Sequence, residues 1–109
     1  MIKTIAVVRR KPGITREEFA RYWIEVHAPF VKECLPGLHK YVLNVAIPSP
    51  DGKEPDYDGV VELGFDSQEA LTAAMSSPKW LSAERQASSE AFLDLSNIFS
   101  LQTEEHVIV

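Results

Sequence analysis

The chain has a single cysteine, Cys34, among its 109 residues. No disulfide can form within one chain, and a free thiol suits a reducing compartment. Free cysteine usually behaves as a small buried hydrophobe, so Cys34 is not a favoured nucleophile. No apolar run approaches the ~20 residues that span a bilayer. Ile2 opens a strand-like run rather than a basic segment followed by a long apolar one, so no leader peptide is read. A cytoplasmic protein with no membrane partner is expected. Positive charge is also short: 11 Lys and Arg stand against 16 Asp and Glu, for a net charge of −5. A nucleic-acid binder needs a basic face to neutralise phosphates, so no nucleic-acid partner is expected. The three histidines, His27, His39 and His106, form no i, i+4 pair and have no second cysteine beside them, which leaves no metal site in view. The five glycines are scattered, so there is no phosphate-cradling loop. There is no nucleophile elbow. An enzyme made from this chain is expected to work by acid–base chemistry or binding effects, with no cofactor.

An apolar fraction of 45% and a charged fraction of 25% are those of a soluble globular protein. The length suits one domain over residues 1–109. Residues 2–9 are rich in β-branched types and read as a first strand, and KPG at 11–13 turns the chain into a helix over about 16–33. Leu35-Pro36-Gly37 stops that helix. Residues 38–47 read as a second strand and PSPDGKEPDYD at 48–58 as a loop long enough to act as a lid. Residues 59–66 read as a third strand. Asp66 or Ser67 then caps a helix in which Ala70, Leu71, Ala74 and Met75 recur at helical spacing, and a further helical piece runs from Pro78 to about Leu93. Residues 97–103 read as a fourth strand. The order β-α-β-β-α-β predicts an α+β, ferredoxin-like fold: a four-stranded antiparallel sheet with its helices on one face. Ile2, Ala6 and Val8 alternate with Ile5 and Val7, and Tyr41, Leu43 and Val45 with Val42, so both sheet faces are apolar. Helices cover only one of them, and the other is expected to pack on a second copy, giving a homodimer.

The first helix carries the most informative feature. Thr15 reads as an N-cap and Glu18 completes a capping box. At about 100° per residue, Phe19, Ala20, Trp23, Ile24, Val26, Phe30 and Val31 share one broad arc. His27 falls inside that arc rather than on the charged side. Pro29 removes a backbone donor and frees the Glu25 carbonyl, so the helix is expected to kink or end just past His27. An imidazole in apolar surroundings beside a helix break suits acid–base work. The same placement suits a core histidine that hydrogen-bonds a carbonyl. Desolvation by Trp23, Val26 and Phe30 is expected to lower its pKa.

Further candidates surround it. Tyr22 and Trp23 share its helix and could wall a flat apolar ligand. His39 and Tyr41 share a face of the second strand. Asn44 lies on the opposite face and reaches the same space only if a bulge re-aims it. Glu62 sits between Val61 and Leu63, where a carboxylate needs a partner or a raised pKa.

The string RKPGITREEFARYWIEVHAP, with LPGLHKYVLN, YDGVVELGFDS and SSPKW, resembles the EthD family over nearly the whole chain. The resemblance implies a dimeric α+β barrel, in which two sheets face each other and each subunit holds a cavity between sheet and helices. Relatives on this fold include a methylmuconolactone methylisomerase, polyketide cyclases, anthrone-type dehydratases or decarboxylases and cofactor-free monooxygenases. EthD itself is a component needed in ether degradation. The positions that carry over are His27 of VHAP and Tyr41 of LPGLHKY, which match a histidine and a tyrosine of the lactone site in methylisomerase-like members. The second histidine of those isomerases has no match, since 48–58 contains none. Gly64 stands where members often have tryptophan, which implies one aromatic wall fewer. The expected function is proton transfer on a hydrophobic carbonyl or lactone compound, with His27 and Tyr41 catalytic and Tyr22, Trp23, Asn44 and Glu62 holding the substrate. The alternatives are a non-catalytic binding or accessory protein for an apolar metabolite in ether or aromatic degradation, and a cofactor-free monooxygenase.

Overall fold

The β-branched run at the start of the chain forms β1, Ile2–Val8, and the computed structural model describes all of residues 1–109. β2 is Lys40–Val45, β3 Gly59–Phe65 and β4 Phe99–Glu104. The sheet order is β2-β3-β1-β4, with β1 antiparallel to both neighbours and β2 antiparallel to β3. β3 therefore sits between β1 and β2, which is the split βαβ arrangement expected from the element order.

The helical layer begins at α1, Arg16–Tyr22. Thr15 caps it as expected: its hydroxyl accepts from the Glu18 N–H at 3.0 Å, and the Glu18 carboxylate accepts from the Thr15 N–H at 2.9 Å. The helix neither ends nor breaks at Pro29. It passes through a π-helical turn, Trp23–His27, and continues as α2, Ala28–Cys34. The Ala28 N–H reaches back five residues to the Trp23 carbonyl. That wider turn loosens the ladder just before Pro29, where the missing donor falls in the first turn of α2. Gly37, at φ +81°, takes the chain out of the helix towards β2.

The π turn also corrects the expected helix face. Phe19, Trp23, His27 and Val31 are all buried, at intervals of four residues. In a uniform α-helix each such step drifts about 40°, or about 120° over the three steps. One extra residue in the turn takes back about 100° and keeps the four on one line. Ile24 and Val26, placed on the apolar arc by uniform periodicity, are instead 52% and 50% exposed.

α3, Gln68–Met75, is capped by Ser67, and α4, Ala83–Phe92, by Ser82. The buried apolar residues fall into two clusters. Val31, Leu35, Leu63, Phe65, Leu71 and Ala74 form one, and Val8, Phe19, Trp23 and Phe92 the other. Strand register puts Thr4, Ala6, Val61, Leu63, Tyr41 and Leu43 on the face towards the helices. Ile5, Val7, Val42, Val60, Phe99 and Leu101 point to the opposite face, which no helix covers.

Candidate functional site

A cavity of about 330 Å³ lies between the helical layer and the sheet, walled by members of both core clusters. Protein interiors hold few voids larger than a water molecule, and this one reaches the size of small-ligand pockets. Its wall is mostly apolar, with Trp23, Val31, Val61, Leu63 and Phe92 on it. Thr4, His27, Tyr41, Arg85, Ser89 and Ser100 bring polar groups to it, and no carboxylate lines it.

His27 is only 7% exposed. Its ring sits 4.7 Å from that of Phe92, and its Nδ1 lies 2.8 Å from the Ser88 hydroxyl. The Ser88 hydroxyl is 3.3 Å from the Tyr22 hydroxyl. Tyr22, Ser88 and His27 thus form a chain of hydrogen-bonding groups running to the cavity wall. Nε2 makes no hydrogen bond to the protein, and no fully buried side-chain polar atom is left without a partner. Nε2 therefore opens onto space. Burial, and secondarily the charge of Arg85, push the His27 pKa down to about 4. The imidazole is neutral at pH 7, in the direction expected from its apolar surroundings.

The Tyr41 phenol also lines the cavity, and burial raises its pKa. It stays a protonated hydrogen-bond donor at neutral pH. Trp23 packs its ring 5.2 Å from that of Phe19 and forms part of the wall. Gly59 makes room for it: a Cβ there would stand 2.7 Å from Trp23 Cη2. Tyr22 reaches the site through Ser88 and through its ring, 5.2 Å from that of Phe92, rather than as part of the wall.

Asn44 and Glu62 are not in this cavity. Both lie on the uncovered sheet face, where Asn44 Nδ2 donates to a Glu62 carboxylate oxygen at 3.1 Å. Glu62 has the partner that its position demands: Lys3 Nζ donates to it at 2.7 Å, and this bond holds its pKa below the usual carboxylate value. No bulge re-aims Asn44, because the β2–β3 register is unbroken from Lys40 to Val45. Gly64 lies on that same face, beside Met1 and Lys40, so a tryptophan in its place would not wall the cavity. His39 is exposed and lies 2.9 Å from an Asp66 carboxylate oxygen. No residue of loop 48–58 lines the cavity, so it is no lid over it.

Three residues absent from the sequence reading belong to the site: Arg85, Ser88 and Ser89. With Phe92 they occupy the i, i+3, i+4, i+7 stripe of α4, the positions that a surface helix ordinarily fills with apolar side chains. That polar stripe is the signal that could have found them.

The EthD domain pattern matches residues 11–96 of this chain. No curated protein matches it in sequence. Among solved structures, an ethyl tert-butyl ether d (ethd) family protein from Bacillus halodurans is 23% identical, with a TM-score of 0.74 over 97% of this chain and 99% of that one. The hydroxynitrile lyase from Passiflora edulis is 13% identical, with a TM-score of 0.71 over 96% and 93%. A dimeric ferredoxin-like protein of unknown function from Thermobifida fusca is 17% identical, with a TM-score of 0.68 over 95% and 90%. These likenesses carry the fold, and no helix of this chain is long and apolar enough to cross a membrane. With four antiparallel strands under a split helical layer and a domain match over most of its length, the chain belongs to the EthD family.

Proposed function

We propose that this protein catalyses proton transfer at a carbon next to a carbonyl, in an apolar ketone- or lactone-like compound held in the cavity. The observation that carries this reading is the pairing of a buried neutral imidazole with a buried phenol on one apolar wall. His27 Nε2 takes the proton from the carbon. Nδ1–H donates to Ser88, whose hydroxyl donates onward to Tyr22, which fixes the tautomer with its lone pair towards the cavity. Tyr41 donates a hydrogen bond to the carbonyl oxygen as it becomes enolate. The imidazolium then returns its proton at the same or another carbon, so an isomerisation balances without any external reagent. General acid–base catalysis of this type contributes roughly 10²–10⁴-fold.

The test is solvent deuterium incorporation next to the carbonyl of aromatic ketones and unsaturated lactones, with and without a carboxylate group, followed by NMR. Wild-type protein is expected to catalyse exchange, with a loss of about 10²-fold or more on His27→Ala. Failure of the wild-type protein across that panel rejects catalysis. A second reading, a non-catalytic binder of apolar metabolites, is favoured by the low His27 pKa, since a base with a pKa of about 4 is weak at pH 7. It is set apart by affinity that depends on Trp23 and not on the His27 imidazole.

The assembly we propose is a homodimer joined through the uncovered sheet face. Phe99 and Leu101, 60% and 61% exposed, lie there beside Ile5 and Val7. That face offers the apolar surface an obligate dimer buries. The dimeric description of the Thermobifida fusca protein is consistent with it.

A further inference from the structure

Arg85 is a half-buried cation with no acidic partner. Its Nε donates to the Trp80 carbonyl at 2.6 Å, and its Nη1 to the Ser89 hydroxyl at 3.2 Å. Its guanidinium carbon lies 4.1 Å from the centre of the Trp80 ring. These contacts fix the plane of the guanidinium and use only two of its five N–H groups. Nη2 makes no hydrogen bond to the protein, and every fully buried side-chain polar atom has a partner, so the remaining donors face space. Arg85 and Trp80 both line the cavity, and no Asp or Glu does. Cys34, an acidic neighbour in principle, has its pKa raised by burial and stays an uncharged thiol. A half-buried cation with no carboxylate beside it favours a partner of opposite sign. Packing against Trp80 needs only the flat ring-facing side of the group and leaves its donor edge unused.

We infer that the cavity is built for an apolar molecule bearing a carboxylate, with Arg85 as the group that binds it; this rests on reading the cavity as a ligand site, and it names the substrate class for the proposed proton transfer. A planar guanidinium with adjacent free donors matches the two oxygens of a carboxylate. The apolar wall takes the hydrocarbon body, and the Ser89 hydroxyl stands beside the anion. The arrangement also acts on the base. Arg85 lowers the His27 pKa through its charge, and a bound carboxylate answers that charge. A bound carboxylate thus offsets the Arg85 part of the lowering, while the larger part, from burial, stays.

The test compares 2-naphthoate with 2-naphthamide, which match in shape and differ in charge, by calorimetric titration at 0.15 M salt. Wild-type protein is expected to bind the carboxylate tighter by about tenfold or more, the scale of one charge-assisted hydrogen-bonded contact. Arg85→Lys keeps the charge without the fork and should keep only part of the preference, and Arg85→Gln should remove it. Arg85→Gln also removes the contacts to Trp80 and Ser89, so its fold is checked by circular dichroism. If it unfolds, the wild-type preference and its reduction in Arg85→Lys decide the question. Equal affinities, no binding of naphthoate, or a preference that survives in folded Arg85→Gln each overturn the inference. A preference without any deuterium exchange rejects the catalytic reading alone.

Discussion

His27 Nδ1 and the Ser88 Oγ stand 2.8 Å apart, 61 residues apart in sequence, and their bond ties the first helix to α4 at the wall of the cavity. It is the shortest polar link between the two halves of the helical layer, and it orients a ring that is neutral at pH 7. Ser88→Ala leaves a buried nitrogen without a partner. A loss of about 1–3 kcal/mol in urea unfolding is expected, with a change in the His27 ring resonances. A loss well below that range means that water or Tyr22 takes over the bond.

The His27 pKa, lowered from 6.5 to about 4, makes stability depend on pH with a definite sign. The unfolded chain binds the proton more readily than the folded one. Stability is therefore full above about pH 6.5, falls as the pH drops towards 4, and levels off for this group below that. The shift corresponds to roughly 3 kcal/mol. Unfolding free energies measured across this window should lose that slope in His27→Gln. A ring titration by NMR that places the His27 pKa above 6.5 overturns the neutral-base assignment. Acid loss further down belongs to Glu62 and Glu105, whose pKa values are held low chiefly by hydrogen bonds from Lys3.

Gly59→Ala should destabilise the protein by about 1–3 kcal/mol, the usual cost of overpacking. The added methyl meets Trp23 Cη2 at 2.7 Å and the Asn44 carbonyl oxygen at 2.8 Å. One obstacle is a wedged indole and the other is backbone, so neither yields cheaply. Urea unfolding measures the loss, and Trp23 fluorescence should shift with it. An unchanged midpoint with unchanged fluorescence would show that the β2–β3 pair opens freely.

Sedimentation at micromolar concentration should give a dimer of the 12.2 kDa chain. Leu101→Lys should shift it towards monomer, since it puts a charge into the apolar part of the uncovered face. A wild-type protein that sediments as a monomer excludes the sheet-to-sheet assembly.

The element order, the Thr15 cap and the inward placement of His27 were legible because each rests on local pattern: periodicity, capping chemistry and turn residues. The exposure of Ile24 and Val26 was not. It depends on a wider turn that a fixed 100° step cannot represent. Strand parity separates Asn44 and Glu62 from Tyr41, and it placed Asn44 on the opposite face correctly. Only the pairing register showed Lys3 answering Glu62 across the sheet. Arg85, Ser88 and Ser89 were overlooked for a different reason. An inward stripe of polar residues on α4 is read as a solvated face unless the helix is already known to lie over a cavity.

The π turn also sets how much the first helix tolerates a change of length. Residues 16–34 contain one more residue than uniform winding needs to join their two ends in the same orientation. Excising a residue within Trp23–His27 lets the turn close as ordinary α-helix with both ends keeping their orientation, whereas inserting one rotates everything on one side by about 100° relative to the other. Either Phe19 and the cap at Thr15 lose their seat, or Val31 and Cys34 do. A single-residue insertion here is thus a phase error that no side-chain substitution repairs, while a single-residue deletion is absorbed by the turn. A deletion of the same size at the exposed tip of the 48–58 loop touches no residue that lines the cavity.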